Sequence, residues 1–210
     1  MLKNRFVILA VVAIATALAV GPGTPAQAQN ILQNPDFDVN VLGGWNSMNA
    51  CPFLRVAQDS DLCAGGGSAQ ITSVPGGNDQ VADLGQCRPV TPGMSTRGRG
   101  RMRIGSGTGV TGAVAFDFYT DATCQNNILG AGTFTTHTPL DAVLWTEILT
   151  AVIVSPGNAG SVRFFVQGVK TNSATPMSIQ LDRTYFGSST QIFEEDMEVG
   201  STCRWSDTVP

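Results

Sequence analysis

Histidine is almost absent from this chain, and that scarcity removes most routes to catalysis. The single imidazole, His137, sits in Thr135-Thr136-His137-Thr138-Pro139. A Ser/His/acid or Cys/His apparatus would have to be built on it, and no nucleophile motif lies nearby. No Cys-x-x-Cys spacing occurs, which argues against a zinc site. Acidic residues are plentiful, but none is marked by its context as a proton donor of the kind glycoside hydrolysis needs. No enzymatic activity is therefore assigned. Aromatic residues make up only 7% of the chain, leaving few platforms on which a sugar ring could stack. The N-terminal apolar run is too short to cross a bilayer comfortably, and no second run of that kind follows.

That first run has its own explanation. Lys3 and Arg5 precede an apolar core from Phe6 to Val20, followed by Gly21-Pro22-Gly23 and Ala26-Gln27-Ala28. A positive start, a short apolar core and a small-x-small end form the pattern of a secretory signal peptide cleaved after Ala28. The expected organisation is a signal peptide over 1–28, one domain over 29–189 and an acidic tail over 190–210. Cleavage removes two of the 12 basic residues and none of the 16 acidic ones. The mature chain is thus mildly acidic, which argues against nucleic acid as a partner. The expected location is extracellular or periplasmic.

From Gly65 onward, short alternating apolar runs are separated by Gly, Pro, Asn and Ser. Strands are predicted over 68–74, 80–90, 97–104, 110–120, 129–136, 145–154, 161–169 and 178–186. The breaks fall at Pro75-Gly76-Gly77-Asn78, Thr91-Pro92-Gly93, Gly105 to Gly109, Pro156-Gly157-Asn158 and Thr171 to Pro176. With 24 glycines and 11 prolines, this spacing indicates an all-β antiparallel sandwich or barrel.

All five cysteines, Cys51, Cys63, Cys87, Cys124 and Cys203, lie in the mature part, where an exported protein keeps disulfides. The sequence alone does not choose among the pairings. The expectation adopted is Cys51 with Cys63, across a Pro- and Asp-containing loop, and Cys87 with Cys124, near the ends of two predicted strands. Each bond would contribute roughly 3 to 4 kcal/mol on the chain-entropy model. Cys203 is then unpaired or joined to another chain.

Asn30 to Ser47 places Leu32, Asn34, Asp36, Phe37 and Asp38 ahead of a Gly43-Gly44 turn and Trp45. With Trp145 in the middle of the chain and Leu181-Asp182 near its end, this order resembles the galactose-binding-like jelly rolls of carbohydrate-binding modules. Gln86-Cys87, Val90 to Gly93 and Phe118 to Cys124 are similar to exported bacterial members of that group. The resemblance covers about 30 to 189 and implies a jelly-roll β-sandwich. It also implies a structural Ca²⁺ clamping the first strand to the last through Asp38 and Asp182, with Asp36 as a stand-in, since hard oxygen donors are what that cation requires. Arg183 stands where relatives carry a second acid, and an ion pair with Asp182 is the competing reading. The tail, from Ile192-Phe193-Glu194-Glu195-Asp196 to Trp205-Ser206, resembles a short acidic terminal motif of secreted proteobacterial proteins.

The most unusual stretch is Thr96-Arg97-Gly98-Arg99-Gly100-Arg101-Met102-Arg103-Ile104. In a strand, residues two apart share a face, so Arg97, Arg99, Arg101 and Arg103 project together at about 7 Å intervals. If Gly105 to Gly109 closes a hairpin, Thr111, Ala113, Ala115 and Asp117 lie opposite the four arginines and Tyr119 joins their face. A row of planar, permanently charged forks suits carboxylate, sulfate or phosphate groups repeating along a polymer. The competing reading is a solvated strand face, partly neutralised by Asp117, Asp121 or the tail, that guards against edge pairing. Trp45, Trp145, Phe116, Phe118, Phe164 and Phe186 are expected in the core, with Trp205, Tyr119 and Tyr185 left for stacking. The function expected is non-catalytic binding of an acidic or cell-surface polysaccharide. The alternatives are a structural or adhesive surface protein making protein contacts, and an accessory subunit of an exported hydrolase.

Overall fold

In the computed structural model, residues 30–39, 42–63, 65–74, 79–125 and 138–188 are described. Among these described residues eleven strands follow in chain order: β1 (Trp45–Asn46), β2 (Phe53–Val56), β3 (Ser68–Thr72), β4 (Gln80–Pro89), β5 (Ser95–Ser106), β6 (Thr111–Tyr119), β7 (Thr138–Pro139), β8 (Thr146–Leu149), β9 (Ile153–Val154), β10 (Ser161–Lys170) and β11 (Ser178–Ser188). They form two antiparallel sheets. One has the order β1-β4-β10-β6-β7 and the other β2-β3-β11-β5-β8, with β9 also on β5. The all-β sandwich is the architecture expected from the sequence.

Alternation decides which residues fill the space between the sheets. Along β5, Thr96, Gly98, Gly100, Met102 and Ile104 are buried while Arg97, Arg99, Arg101 and Arg103 are not. The period-2 pattern thus points the glycines inward, toward the facing sheet. A Cβ on Gly98 would lie 3.1 Å from the Phe164 ring. Phe116, Phe164 and Phe186 are fully buried, and the Phe116 and Phe186 rings meet edge to face at 4.9 Å. Aromatic pairs at this spacing prefer edge-to-face contact over a direct sandwich.

The opening stretch is packed as a cover for this core. Phe37 and Trp45 are buried with ring centroids 5.1 Å apart, and the Trp45 indole donates to the Gln33 carbonyl at 2.8 Å. Residues 30–35 then run antiparallel to the second half of β11. Ile31 N donates to Phe186 O at 3.0 Å, Asn30 Nδ2 donates to Thr184 O at 2.9 Å, and Thr184 N donates to Pro35 O at 2.9 Å. This is possible because β11 carries a register shift against β5 between Asp182 and Tyr185. The bulge, with Arg183 at φ 48°, turns Thr184 toward Pro35 and gives the first segment its seat.

Two expectations about the strands change, and a third is not tested. β5 and β6 do not form a hairpin. The loop between them, with Gly107 and Gly109 at positive φ, carries the chain from one sheet to the other, and β6 pairs with β10 and β7. The run from Trp145 to Val154 does not cross the core as one strand. It divides into the short edge strands β8 and β9, with Leu149, Val152 and Val154 exposed. The strand expected over 129–136, like His137, lies outside the described residues.

Cys87, on β4, and Cys124, after β6, are disulfide-bonded, as expected. Cys51 does not join Cys63. It is a free, buried thiol that donates toward Val81 O at 3.3 Å. Ser47 Oγ holds its amide at 2.8 Å, which keeps the side chain under the 47–51 turn, facing β4. Cys63 is disulfide-bonded but has another partner. Cys203 lies outside the described residues.

Candidate binding site

The outward face of β5 carries the arginine row, and its surroundings differ from those of a hairpin. On one side β11 sets Gly187 beside Arg97, Tyr185 beside Arg99, Asp182 beside Arg101 and Gln180 beside Arg103. On the other, β8 sets Leu149 beside Arg99 and Glu147 beside Arg101. Arg101 and Arg103 are therefore flanked by acidic and hydrogen-bonding neighbours rather than by the small ones expected. Arg101 Nη1 lies 3.0 Å from Asp61 Oδ1, and its Nε lies 3.6 Å from Glu147. Asp61 takes a second guanidinium on the same oxygen, that of Arg183 at 3.1 Å. Arg183 thus pairs with Asp61 through its side chain and donates its backbone amide to Asp182, at 2.7 Å.

Asp182 is almost completely buried. Burial raises its pKa to about 7, and Asp59 adds to the rise, against the opposing amide and hydroxyl of Ser60 and the amide of Arg183. The Ser60 amide donates to Oδ2 at 2.8 Å. The loop from Gln58 to Leu62 is therefore pinned at its centre to the middle of β11.

That loop forms one wall of a cavity of about 380 Å³ lined by Ala57, Gln58, Asp59, Leu62, Cys63, Arg103, Val143 and Trp145. The cavity begins where the arginine row ends. Arg103 donates through Nε to Gln180 Oε1 at 2.5 Å, and its guanidinium carbon lies 4.8 Å from the Trp145 ring centroid. Trp145 is half-buried on the rim, not in the core as expected, because it enters an edge strand. The site thus combines an aromatic ring, a fixed guanidinium and the polar side chains of Gln58 and Asp59, the mixture with which ligand pockets fix and orient a polar molecule.

Tyr119 is not part of this face. With β6 in the other sheet, its ring is buried and lies 5.5 Å from the Arg163 guanidinium carbon. Tyr185 is buried as well, donating its hydroxyl to Ser188 O at 2.9 Å. Trp205 lies outside the described residues.

The donors named for calcium do not present a fitting set. Both Asp182 oxygens receive backbone amide hydrogens, Asp38 is exposed, and Asp36 is buried. Among the described residues no three His, Cys, Asp or Glu side chains gather into a metal-holding group. The carbonyl beside Asp38, that of Phe37, instead accepts Arg55 Nε at 2.8 Å, and Arg55 Nη2 reaches Gly65 O at 2.8 Å and Gly66 O at 2.9 Å.

Sequence reasoning singled out the four arginines but missed Asp59, Asp61, Glu147, Gln180 and the rim position of Trp145. The one available signal was Asp59-Ser60-Asp61, two acids in a short polar loop.

No protein-family model and no curated protein matches the chain. Solved structures do. A family 61 carbohydrate-binding module in complex with β-1,4-galactotriose aligns at TM-score 0.54 and 15% identity over 77% of this chain and 100% of that one. The C-terminal family 22 carbohydrate-binding module of Clostridium thermocellum Xyn10B aligns at TM-score 0.54 and 10% identity, over 75% of this chain and 93% of that one. The enzymatically active domain of bacteriophage CBA120 tailspike protein 4 aligns at TM-score 0.57 and 14% identity over 76% of this chain, which spans only 21% of that larger one. The chain has the jelly-roll β-sandwich fold found in carbohydrate-binding modules.

Proposed function

We propose that this is an exported, non-catalytic carbohydrate-binding protein that holds an acidic polysaccharide along the outer face of β5. The observation that carries the reading is the contact between Arg103 and Trp145 at the rim of the cavity, in line with Arg97, Arg99 and Arg101. The ring offers a surface for the C–H face of a sugar, and the guanidinium groups offer forks for its carboxylates. The neighbouring structures lend support, since one holds a galactotriose and others are described as xylan-binding.

The test is retention on a polygalacturonate column across a salt series. Replacing the four arginines by Ser shifts elution to lower salt, and Trp145→Ala weakens retention about tenfold, as expected for loss of one stacking contact. Unchanged retention in both variants overturns the proposal.

A second reading, a surface protein making protein contacts, draws on the exposed Val143, Leu144, Leu149, Val152 and Val154 along the β8–β9 edge. A glycan array separates the two: saturable glycan binding favours the first, and uniform silence favours the second.

A further inference from the structure

Arg103 is held differently from its neighbour in the row. Arg101 turns its guanidinium to the chain's own acids, Asp61 at 3.0 Å and Glu147 at 3.6 Å. Arg103 instead donates through Nε to Gln180 Oε1 at 2.5 Å and sets its guanidinium carbon 4.8 Å from the Trp145 ring centroid. Among the described residues no acceptor meets its Nη1 or Nη2. Gln180 is itself fixed. It is buried on β11, paired with Gln70 of β3 on one side and Arg103 of β5 on the other. Its Nε2 donates to Gln70 Oε1 at 3.4 Å, which turns its own Oε1 toward Arg103. Three neighbouring strands thus orient one guanidinium and leave its terminal N–H groups open to a ligand.

We propose that the cavity is a seat for one uronate ring, in which Arg103 takes the carboxylate and Gln180 is the positioning residue that makes the seat prefer an acid over its neutral counterpart. The inference rests on the polysaccharide reading of this site and names the unit that is recognised. The size suits a short ligand. A volume of about 380 Å³ lies near the lower end of the roughly 300 to 1,000 Å³ typical of small-molecule sites. The chemistry narrows the choice further. Asp59 on the cavity wall would repel a bare anion such as sulfate, which has no hydrogen to give it, whereas a uronate brings hydroxyl donors along with its carboxylate. Trp145 and the exposed Leu62 and Val143 supply apolar surface for the C–H face of the ring. With Arg101 engaged by Asp61 and Glu147, selectivity for the acid is set at Arg103.

The experiment titrates digalacturonate and its methyl ester into the isotope-labelled mature chain and follows the Trp145 indole N–H by NMR, assigned through Trp145→Phe. The acid should bind on the order of tenfold to a hundredfold more tightly than the ester, the range for hydrogen bonds to a charged group. Gln180→Met keeps the length of the side chain but not its acceptor, so that ratio should fall to within about threefold of unity while the ester affinity holds. A variant that weakens both sugars and keeps the ratio overturns the role of Gln180. Arg103→Lys retains the charge and loses the fork; it should lower the ratio in the same way, and it serves as the test if Gln180→Met does not fold. Equal binding of acid and ester by the parent, or a Trp145 signal that neither sugar moves, overturns the seat. Retention on the polygalacturonate column in that case leaves the polysaccharide reading standing.

Discussion

The amide of Ser60 and the carboxylate of Asp182 are joined at 2.8 Å, which fastens the cavity loop to a buried acid whose pKa is raised to about 7, chiefly by burial. The folded protein therefore binds this proton at pH values where the unfolded chain, with an ordinary value of 3.8, has released it. Stability from this group is fully present below about pH 4 and is lost as pH rises through 7.

Urea unfolding should accordingly show the midpoint falling between pH 5 and pH 8, by the equivalent of about 2 to 4 kcal/mol. Asp182→Asn should flatten that profile. At pH 5 the variant should also be about 1 kcal/mol less stable, because the amide accepts from only one of the two backbone donors. A profile equally steep in both proteins would remove Asp182 as its source.

Arg55 makes a separate prediction. Its guanidinium ties the carbonyls of Phe37, Gly65 and Gly66 together, the kind of oxygen cluster that a calcium ion would otherwise hold. EDTA is expected to leave the melting temperature unchanged, whereas Arg55→Ala lowers stability by about 2 to 4 kcal/mol by stripping partners from the carbonyls of the buried Phe37 and Gly66. A drop in melting temperature on chelation, reversed by CaCl₂, would instead place the ion implied for Asp38 and Asp182.

Gly168, on β10, faces Ile179 of β11, and a Cβ there would lie 2.6 Å from the Ile179 Cγ2. Gly168→Val should cost about 2 to 3 kcal/mol through overpacking, seen as a melting temperature lower by about 5 to 10 °C. Wild-type stability in this variant would mean that the sheets separate more easily than their packing indicates.

The Cys51 thiol, enclosed near Val81 O and Asp83 Oδ1, should resist maleimide in the native protein and react on unfolding. Cys51→Ser should be nearly neutral, since a hydroxyl finds the same acceptors. Rapid native labelling would show that the 47–51 turn opens.

Much of this was legible in the chain. The alternation in Thr96 to Ile104 fixes which side of β5 faces the core, because a strand's period of two leaves no freedom. Trp45 was expected in the core and is there, whereas the burial of Phe37 against it was not foreseen. The strand beside β5 was not legible, because a five-residue glycine-rich loop serves a hairpin or a crossing between sheets equally well, and adjacency in sequence favours the first. The flanking acids of the arginine row were missed for that reason. Trp145 was misplaced because apolar content alone does not separate an edge strand from a central one. Cys51 was mispaired because closeness in sequence says nothing of the direction in which two Cβ atoms point.

The antiparallel contact of residues 30–35 with β11 also determines how the domain can be mounted. Ile31 and Phe186 are hydrogen-bonded neighbours, so the chain enters and leaves the sandwich at adjoining points on one end. Anything fused on either side would hold the domain from that single end, like a pendant, with both broad faces turned outward.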